Sequence, residues 1–329
     1  MVSGLTGLAI QNPTPRHPPD TLKHEPNRMK TKLEGWILYS IAAAFFWGTW
    51  GVVAKLISDQ VSPFTNHLLF SVGMLLTLPL VLKKVRTEKP NRKGIIWGLV
   101  AGVLAVTGNV AVYQAFTSGG LAAIVIPVTN LYPLVTIVIA LLVFKEKLNW
   151  INGIGILVAI PAVIMLSGES LLFDDPAAFI KSFGLNSGGT RQWLLYSFVA
   201  LFFWGVFSAA QKETTNSISA EWSYVSFIVS SVVIALGFVV AGLVDLNLSA
   251  KTLGLGSLAG MLNGLGVLAS FAAYSAEGKA SKVTTIAGAL QPVFTIVLAI
   301  IFLNESLSLI ESLGIVLAII GALTLSYES

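Results

Sequence analysis

The sequence contains no cysteine, so neither a disulfide nor a thiolate metal site can form, and nothing marks the redox state of its compartment. Charge is also scarce. Asp, Glu, Lys and Arg make up 11% of the 329 residues, where a soluble fold carries about 25%. Hydrophobic residues reach 55%, so most of the surface must face lipid rather than water. Also missing are HExxH, GxSxG and Walker patterns and any pair of aspartates inside a hydrophobic run, which leaves an intramembrane enzyme without a catalytic set. No ring of charges or carbonyls of the kind that builds a channel filter is visible. The expectation is therefore of no enzyme activity, no cofactor and no metal.

What is present is a succession of long apolar runs, each near the ~20 residues needed to cross ~30 Å of hydrocarbon as a helix. Ten can be placed, near 37–57, 64–82, 94–116, 121–143, 150–167, 193–212, 222–243, 253–276, 281–303 and 308–326. They are too long and too uniformly apolar for barrel strands. The expected fold class is an all-α integral membrane protein with ten transmembrane helices. If the chain starts inside and the helices alternate, 16 of the 20 Lys and Arg fall on the cytoplasmic side. That bias places both termini inside, in a plasma (inner) membrane, and leaves no need for nucleic acid to explain the basic cluster between Lys83 and Lys93. Residues 1–28 are polar and Pro-rich with no apolar core of a signal peptide, and Met29 opens a basic segment that reads as an alternative start.

The runs are related to one another. "ILYSIAAAFFWG" at 37–48 returns as "LLYSFVALFFWG" at 194–205, and the same offset of 157 pairs Gly48 with Gly205 and Lys55 with Lys212. "GLVAGVLAVTGNVAVYQAF" at 98–116 matches "GSLAGMLNGLGVLASFAAY" at 256–274 at an offset of 158, preserving three glycines. After one further residue, 132–160 matches 291–319, pairing Pro133 with Pro292 and Glu146 with Glu305. Each copy holds five runs, and five is odd, so the second copy enters the membrane from the opposite face. Inverted repeats of this kind characterise many secondary transporters, because near-equal halves can exchange shapes. The expected organisation is a disordered tail over 1–35, a first five-helix repeat over 36–167, an extracytoplasmic linker over 168–192 and a second repeat over 193–329.

In each copy the penultimate helix runs from proline through an apolar stretch to glutamate, as in "YPLVTIVIALLVFKEKL" and "QPVFTIVLAIIFLNESL". This doubled pattern resembles the EamA-like branch of the drug/metabolite transporter superfamily over about residues 36–326. The resemblance implies a ten-helix carrier with a central cavity that moves a small metabolite, often outward. Many members of that family carry an arginine early in the second helix; this chain has Asn66 and His67 there.

Depth in the helices singles out candidate residues. Trp36, Trp97, Trp150, Trp193 and Trp222 sit at helix ends, where indoles anchor in the headgroup region. Trp47 and Trp204 lie roughly 15 Å into their helices, near the midplane, and Trp50 shares the face of Trp47. They either line a cavity or pack around the glycine of FFWG. The polar residues Asn109, Tyr113, Gln114, Thr129, Asn130 and Tyr132, with Asn263, Ser270, Tyr274, Thr284, Thr285 and Gln291 in the second copy, form the remaining candidate lining, against the alternative of interhelical glue. Pro127, Pro133 and Pro292 lie inside helices and release the carbonyls of Ala123, Thr129 and Gly288, so Pro133 and Pro292 are candidate hinges. The glycines at 98, 102, 256, 260 and 264 have the spacing of close helix approach.

Lys55 and Lys212 are the only charges in the first and sixth helices; they snorkel to the interface, or else receive an anionic substrate group at the two mouths of a cavity. Glu146 and Glu305 end their helices near the surface, where turn geometry and solvation account for them. With no acid at mid-helix, carboxylate-based proton coupling and recognition of cations both lose their usual residue. The function expected is a secondary transporter, exporting a small polar metabolite such as an amino acid by alternating access. The alternative is a carrier of phosphorylated or nucleotide-linked anions held by Lys55 and Lys212. Expected partners are the small-molecule substrate and the lipid bilayer, and self-association is open between monomer and homodimer.

Overall fold

The computed structural model describes residues 35–135, 138, 150–166, 192–276, 280–325 and 327, without the side chains of 280–282, 284 and 285. The expected tail except Gly35, all of the expected linker but Gln192, and Glu146 lie outside the described residues, as do the side chains of Thr284 and Thr285. Eleven helices are described: α1 Gly35–Ser58, α2 Pro63–Thr77, α3 Pro79–Val85, α4 Arg92–Thr117, α5 Ala122–Thr129, α6 Trp150–Leu166, α7 Gln192–Thr215, α8 Ala220–Val240, α9 Ala250–Ser275, α10 Ala280–Leu303 and α11 Leu309–Leu325. No strand occurs among the described residues.

Local sequence explains where the helices start. Ser62, Ser219 and Ser249 each accept a hydrogen bond from the backbone N–H three residues on, capping α2, α8 and α9, and Asn91 accepts from Lys93 N at the start of α4. Pro63 follows its cap at the first helical position, where a missing N–H costs nothing. The second apolar run, expected as one span, is two helices bent by 55°. Pro79 lacks the N–H that would continue the ladder, and Leu78 N turns back to Leu75 O at 3.1 Å.

Among the described residues six helices, α1, α4, α7, α8, α9 and α10, are long and apolar enough to cross a membrane, and α2 with α3 makes a seventh if the bent pair is one span. Their outward faces are apolar. On α6, Leu157 is 70% exposed while Ala159 and Ala162 are buried, the reverse of a helix on a water-soluble core.

The packing joins the two halves of the chain. α4 lies against α7 and α8, α1 against α9 and α10, α2 against α9, and α6 against α11. Glycines permit the approach in matched pairs. A methyl group on Gly102 would lie 2.6 Å from Ser230 Cβ, and at the equivalent Gly260 it would strike the Phe70 carbonyl. Gly155 backs onto Leu325, as Gly314 backs onto Leu166. The bundle has two ends. At one, Lys93 pairs with Glu213, Lys84 with Glu221, and Trp222 Nε1 donates to Glu88 O at 3.2 Å. At the other, Thr252 Oγ1 bonds Gln60 Oε1 at 3.0 Å, and backbone N–H groups of α5 meet Glu305. They are called here the Lys93 end and the Glu305 end.

Candidate functional site

FFWG places each midplane tryptophan on a glycine of the opposite half. The Trp47 ring covers Gly266, where a Cβ would come within 2.5 Å of it, and the Trp204 ring covers Gly108 equally closely. Both tryptophans and both glycines are equivalent positions of the repeat, so the two contacts are one contact made twice. The glycine of FFWG is used in the same reciprocal way. Gly48 lies under Gln291 O and Phe294, and Gly205 under Tyr132 O and Val135, the corresponding residues of the other half.

Between these contacts lies a cavity. Its polar lining is Asn109 and Tyr132 from the first half, and Ser208, Gln211, Asn263, Ser270, Tyr274 and Gln291 from the second. Trp47, Trp50, Trp204, Phe207 and Phe227 supply aromatic walls. No charged side chain lines it among the described residues. Trp204 Nε1 donates to Asn109 Oδ1 at 3.2 Å, and Gln211 Nε2 donates to Ser270 Oγ at 2.6 Å. Trp47 meets no such amide at the equivalent position, which is Val267.

The cavity is one-sided. Gln211 and Tyr274 lie near the C-termini of α7 and α9 and Val283 near the N-terminus of α10, so the space runs from mid-bundle toward the Lys93 end. The equivalent residues toward the Glu305 end, Ala54, Phe116 and Ile124, are buried. There Trp50, Ala54, Ile57, Val112, Tyr113, Phe116, Val125 and Ile126 form one continuous apolar cluster, a seal across the bundle.

Comparison with known proteins agrees with this architecture. The EamA-like transporter family matches residues 34–168 and again 191–327. The chain belongs to the EamA-like transporter family. Membership and the apolar helices make it a multi-pass membrane protein, and point to a transporter rather than an enzyme. An uncharacterized transporter of Clostridium kluyveri is 23% identical over 308 residues, covering 89% of this chain and 93% of that one. An uncharacterized protein of Methanocaldococcus jannaschii is 29% identical over 131 residues, 40% of this chain but 95% of its own length, so that relative is about as long as one repeat. A solved crystal structure superposes with a TM-score of 0.59 at 17% identity over 88% of this chain and 95% of that one, a likeness of fold.

Within this EamA-like bundle, the structure brings Trp47, Trp50, Asn109, Trp204, Asn263, Tyr274 and Gln291 together around the cavity, and leaves Lys55, Tyr113, Gln114, Asn130 and Lys212 off its lining. Lys55 donates to Asp59 at 2.8 Å and to Phe116 O at 3.2 Å, and Lys212 is exposed. Tyr113 and Asn130 are buried, and Gln114 is half-buried. Asn66 donates to Ser58 Oγ at 3.0 Å, and His67 Nε2 meets Ser231 O at 3.1 Å, packing α2 against its neighbours.

Two expectations are corrected. The Thr129 carbonyl is not released by Pro133: residues 130–132 tighten so that Tyr132 N donates to Thr129 O at 3.1 Å, and the helix breaks there, whereas α10 runs unbroken through Pro292. Glu305 is not solvated. It is 9% exposed, and its carboxylate accepts from two backbone N–H groups of α5. Ser208 and Gln211 join the lining from outside the candidate set, and their spacing of four and seven residues after Trp204 is the sign that they share its face of α7.

Proposed function

We propose that the chain is a secondary transporter that moves a small uncharged or zwitterionic polar metabolite, such as an amino acid, by alternating access between its two halves. The observation that carries this reading is the one-sided cavity between inverted repeats, lined by amides, hydroxyls and indoles with no charge among the described residues. Amide and hydroxyl groups hydrogen-bond a polar solute, and the aromatic walls cover its apolar part. With the Lys93 end cytoplasmic, as the basic residues favour, the cavity faces inward, the state from which an exporter loads. The proposed topology has ten spans, with the six long helices and the bent α2–α3 pair joined by spans that would include the shorter apolar stretches 122–135, α6 and α11.

The alternative, an anion carrier built on Lys55 and Lys212, draws less support from the structure, since neither lysine lines the cavity and Lys55 is engaged by Asp59 and a carbonyl. Counterflow in proteoliposomes tests both. Vesicles loaded with unlabelled neutral amino acids, polyols, sugar phosphates or nucleotides are challenged with the labelled compound. Exchange of a neutral or zwitterionic compound supports the reading, and exchange confined to phosphorylated compounds replaces it with the alternative.

A further inference from the structure

Helix α5 begins without a cap of its own. Leu121 stands at the N-cap position, where it has no side-chain oxygen to offer, and the first N–H groups of the helix are buried. They are satisfied from the other half of the chain. Ala122 N donates to Glu305 Oε1 and Ala123 N to Glu305 Oε2, each at 2.8 Å. The carboxylate reaches them because α10 ends in a left-handed residue, Asn304 at φ 53°, which turns the chain so that Glu305 N meets Ala299 O at 3.4 Å. Both carboxylate oxygens are thereby engaged by a helix terminus, whose dipole favours the negative charge.

The helix held in this way belongs to the seal. Ala122, Ala123, Val125 and Ile126 pack in the same cluster as Trp50, Val112, Tyr113 and Phe116. The Glu305 end cannot open around them without moving α5 relative to α10 or carrying the seal elsewhere. When the end opens, water can replace the lost partners of both the carboxylate and the N–H groups, so the contact is strong while dry and replaceable once wet. The seal also contains groups that closure leaves poorly satisfied: the buried Trp50 indole N–H and Tyr113 hydroxyl meet each other but form no well-aligned hydrogen bond among the described residues. A contact that favours closure is needed to offset them.

We propose that Glu305 is a positioning residue for transport, a latch between the repeats that keeps the Glu305 end shut by holding the first turn of α5, and whose release accompanies the opening of that end. The proposal rests on the alternating-access reading, but its test needs no substrate. Because the chain has no cysteine, single cysteines report accessibility without background. Val112→Cys reports from inside the seal, and Ser208→Cys from the cavity on the Lys93 side.

Labelling by a membrane-impermeant maleimide is measured in oriented vesicles, with Glu305 intact or as Glu305→Gln. With Glu305 intact, Val112→Cys is protected. In Glu305→Gln its labelling from the Glu305 side rises about tenfold, as neutral hydrogen bonds replace charge-assisted ones, while labelling of Ser208→Cys from the Lys93 side falls. A general loss of fold would instead raise labelling at both positions, and that outcome counts against the latch. A second variant guards against such a loss. Ala122→Pro removes one of the two donors and keeps the carboxylate. Leu121, at ψ 141°, already has the conformation that precedes proline, and proline is accepted at the first helical position. It should shift the two reporters in the same opposed directions by a smaller factor. If both variants leave Val112→Cys protected, the latch is overturned, whereas the transporter reading stands or falls by counterflow alone.

Discussion

Trp50 and Tyr113 stand edge to face, their ring centroids 6.1 Å apart, with the indole N–H near the phenol oxygen but no well-aligned hydrogen bond to either group among the described residues. Their equivalents in the other half are Phe207 and Phe271, which carry no polar atom at all. The ring shapes therefore suffice for packing, and the polar atoms are an expense of the sealed state.

Replacing Tyr113 by Phe removes a buried hydroxyl whose contact with the Trp50 indole is poorly formed. Such a group costs roughly 1–3 kcal/mol relative to its hydrated state, so the variant should be more stable by about 1 kcal/mol. The check is thermal unfolding of purified protein in detergent. A lowered midpoint would mean that the contact between the hydroxyl and the Trp50 indole is a net stabilising hydrogen bond.

Gly266→Ala should impair transport through Trp47. Alanine normally gains up to about 1 kcal/mol over glycine inside a helix, but here the new methyl would lie 2.5 Å from the indole, and the ring would have to leave the cavity wall. Gly237→Ala is the control: nothing lies within 4 Å of its added Cβ, so it should be neutral or slightly stabilising. Counterflow of a transported compound separates them, with loss expected at 266 and none at 237.

How far the sequence discloses this arrangement depends on the kind of contact. The duplication is legible because each half uses the same residues against the other, so FFWG and the glycines at 108 and 266 stand in register. The midplane tryptophans are legible from depth alone. Glu305 is not. A glutamate at the end of a hydrophobic run looks solvated, and only the tertiary fold brings it to an uncapped helix 182 and 183 residues earlier in the chain. Nor is the division of the cavity. Tyr113 and Tyr274 are both buried-looking aromatics in a hydrophobic helix, yet one lies in the seal and the other on the open side, a distinction set by conformational state and not by composition.

Asn109→Val should weaken the site on one side only. The substitution takes away the acceptor of Trp204 Nε1 and makes position 109 like its equivalent, Val267. An indole N–H left unbonded costs about 1–3 kcal/mol where it is buried, so the Trp204 ring should lose its fixed orientation. The expected outcome is a raised KM in counterflow and a change in tryptophan fluorescence, whereas Val267→Ala, which removes no acceptor, should leave the fluorescence as it was.

Charge at positions 55 and 212 should be dispensable for a neutral substrate. Lys55 is tied to Asp59, which is 62% exposed, and a pair of that kind contributes about 0.2–1 kcal/mol at most. Its second bond, to the Phe116 carbonyl, lies on the sealed end and can be kept in part by a glutamine amide. Lys212 is exposed and its removal takes nothing from the cavity lining. The double variant Lys55→Gln with Lys212→Gln should therefore exchange a neutral amino acid within about twofold of the parent rate, since no more than one weak surface pair is lost. Abolished exchange of every transported compound would show instead that a lysine meets the substrate during the cycle, and the anion-carrier alternative would then take precedence.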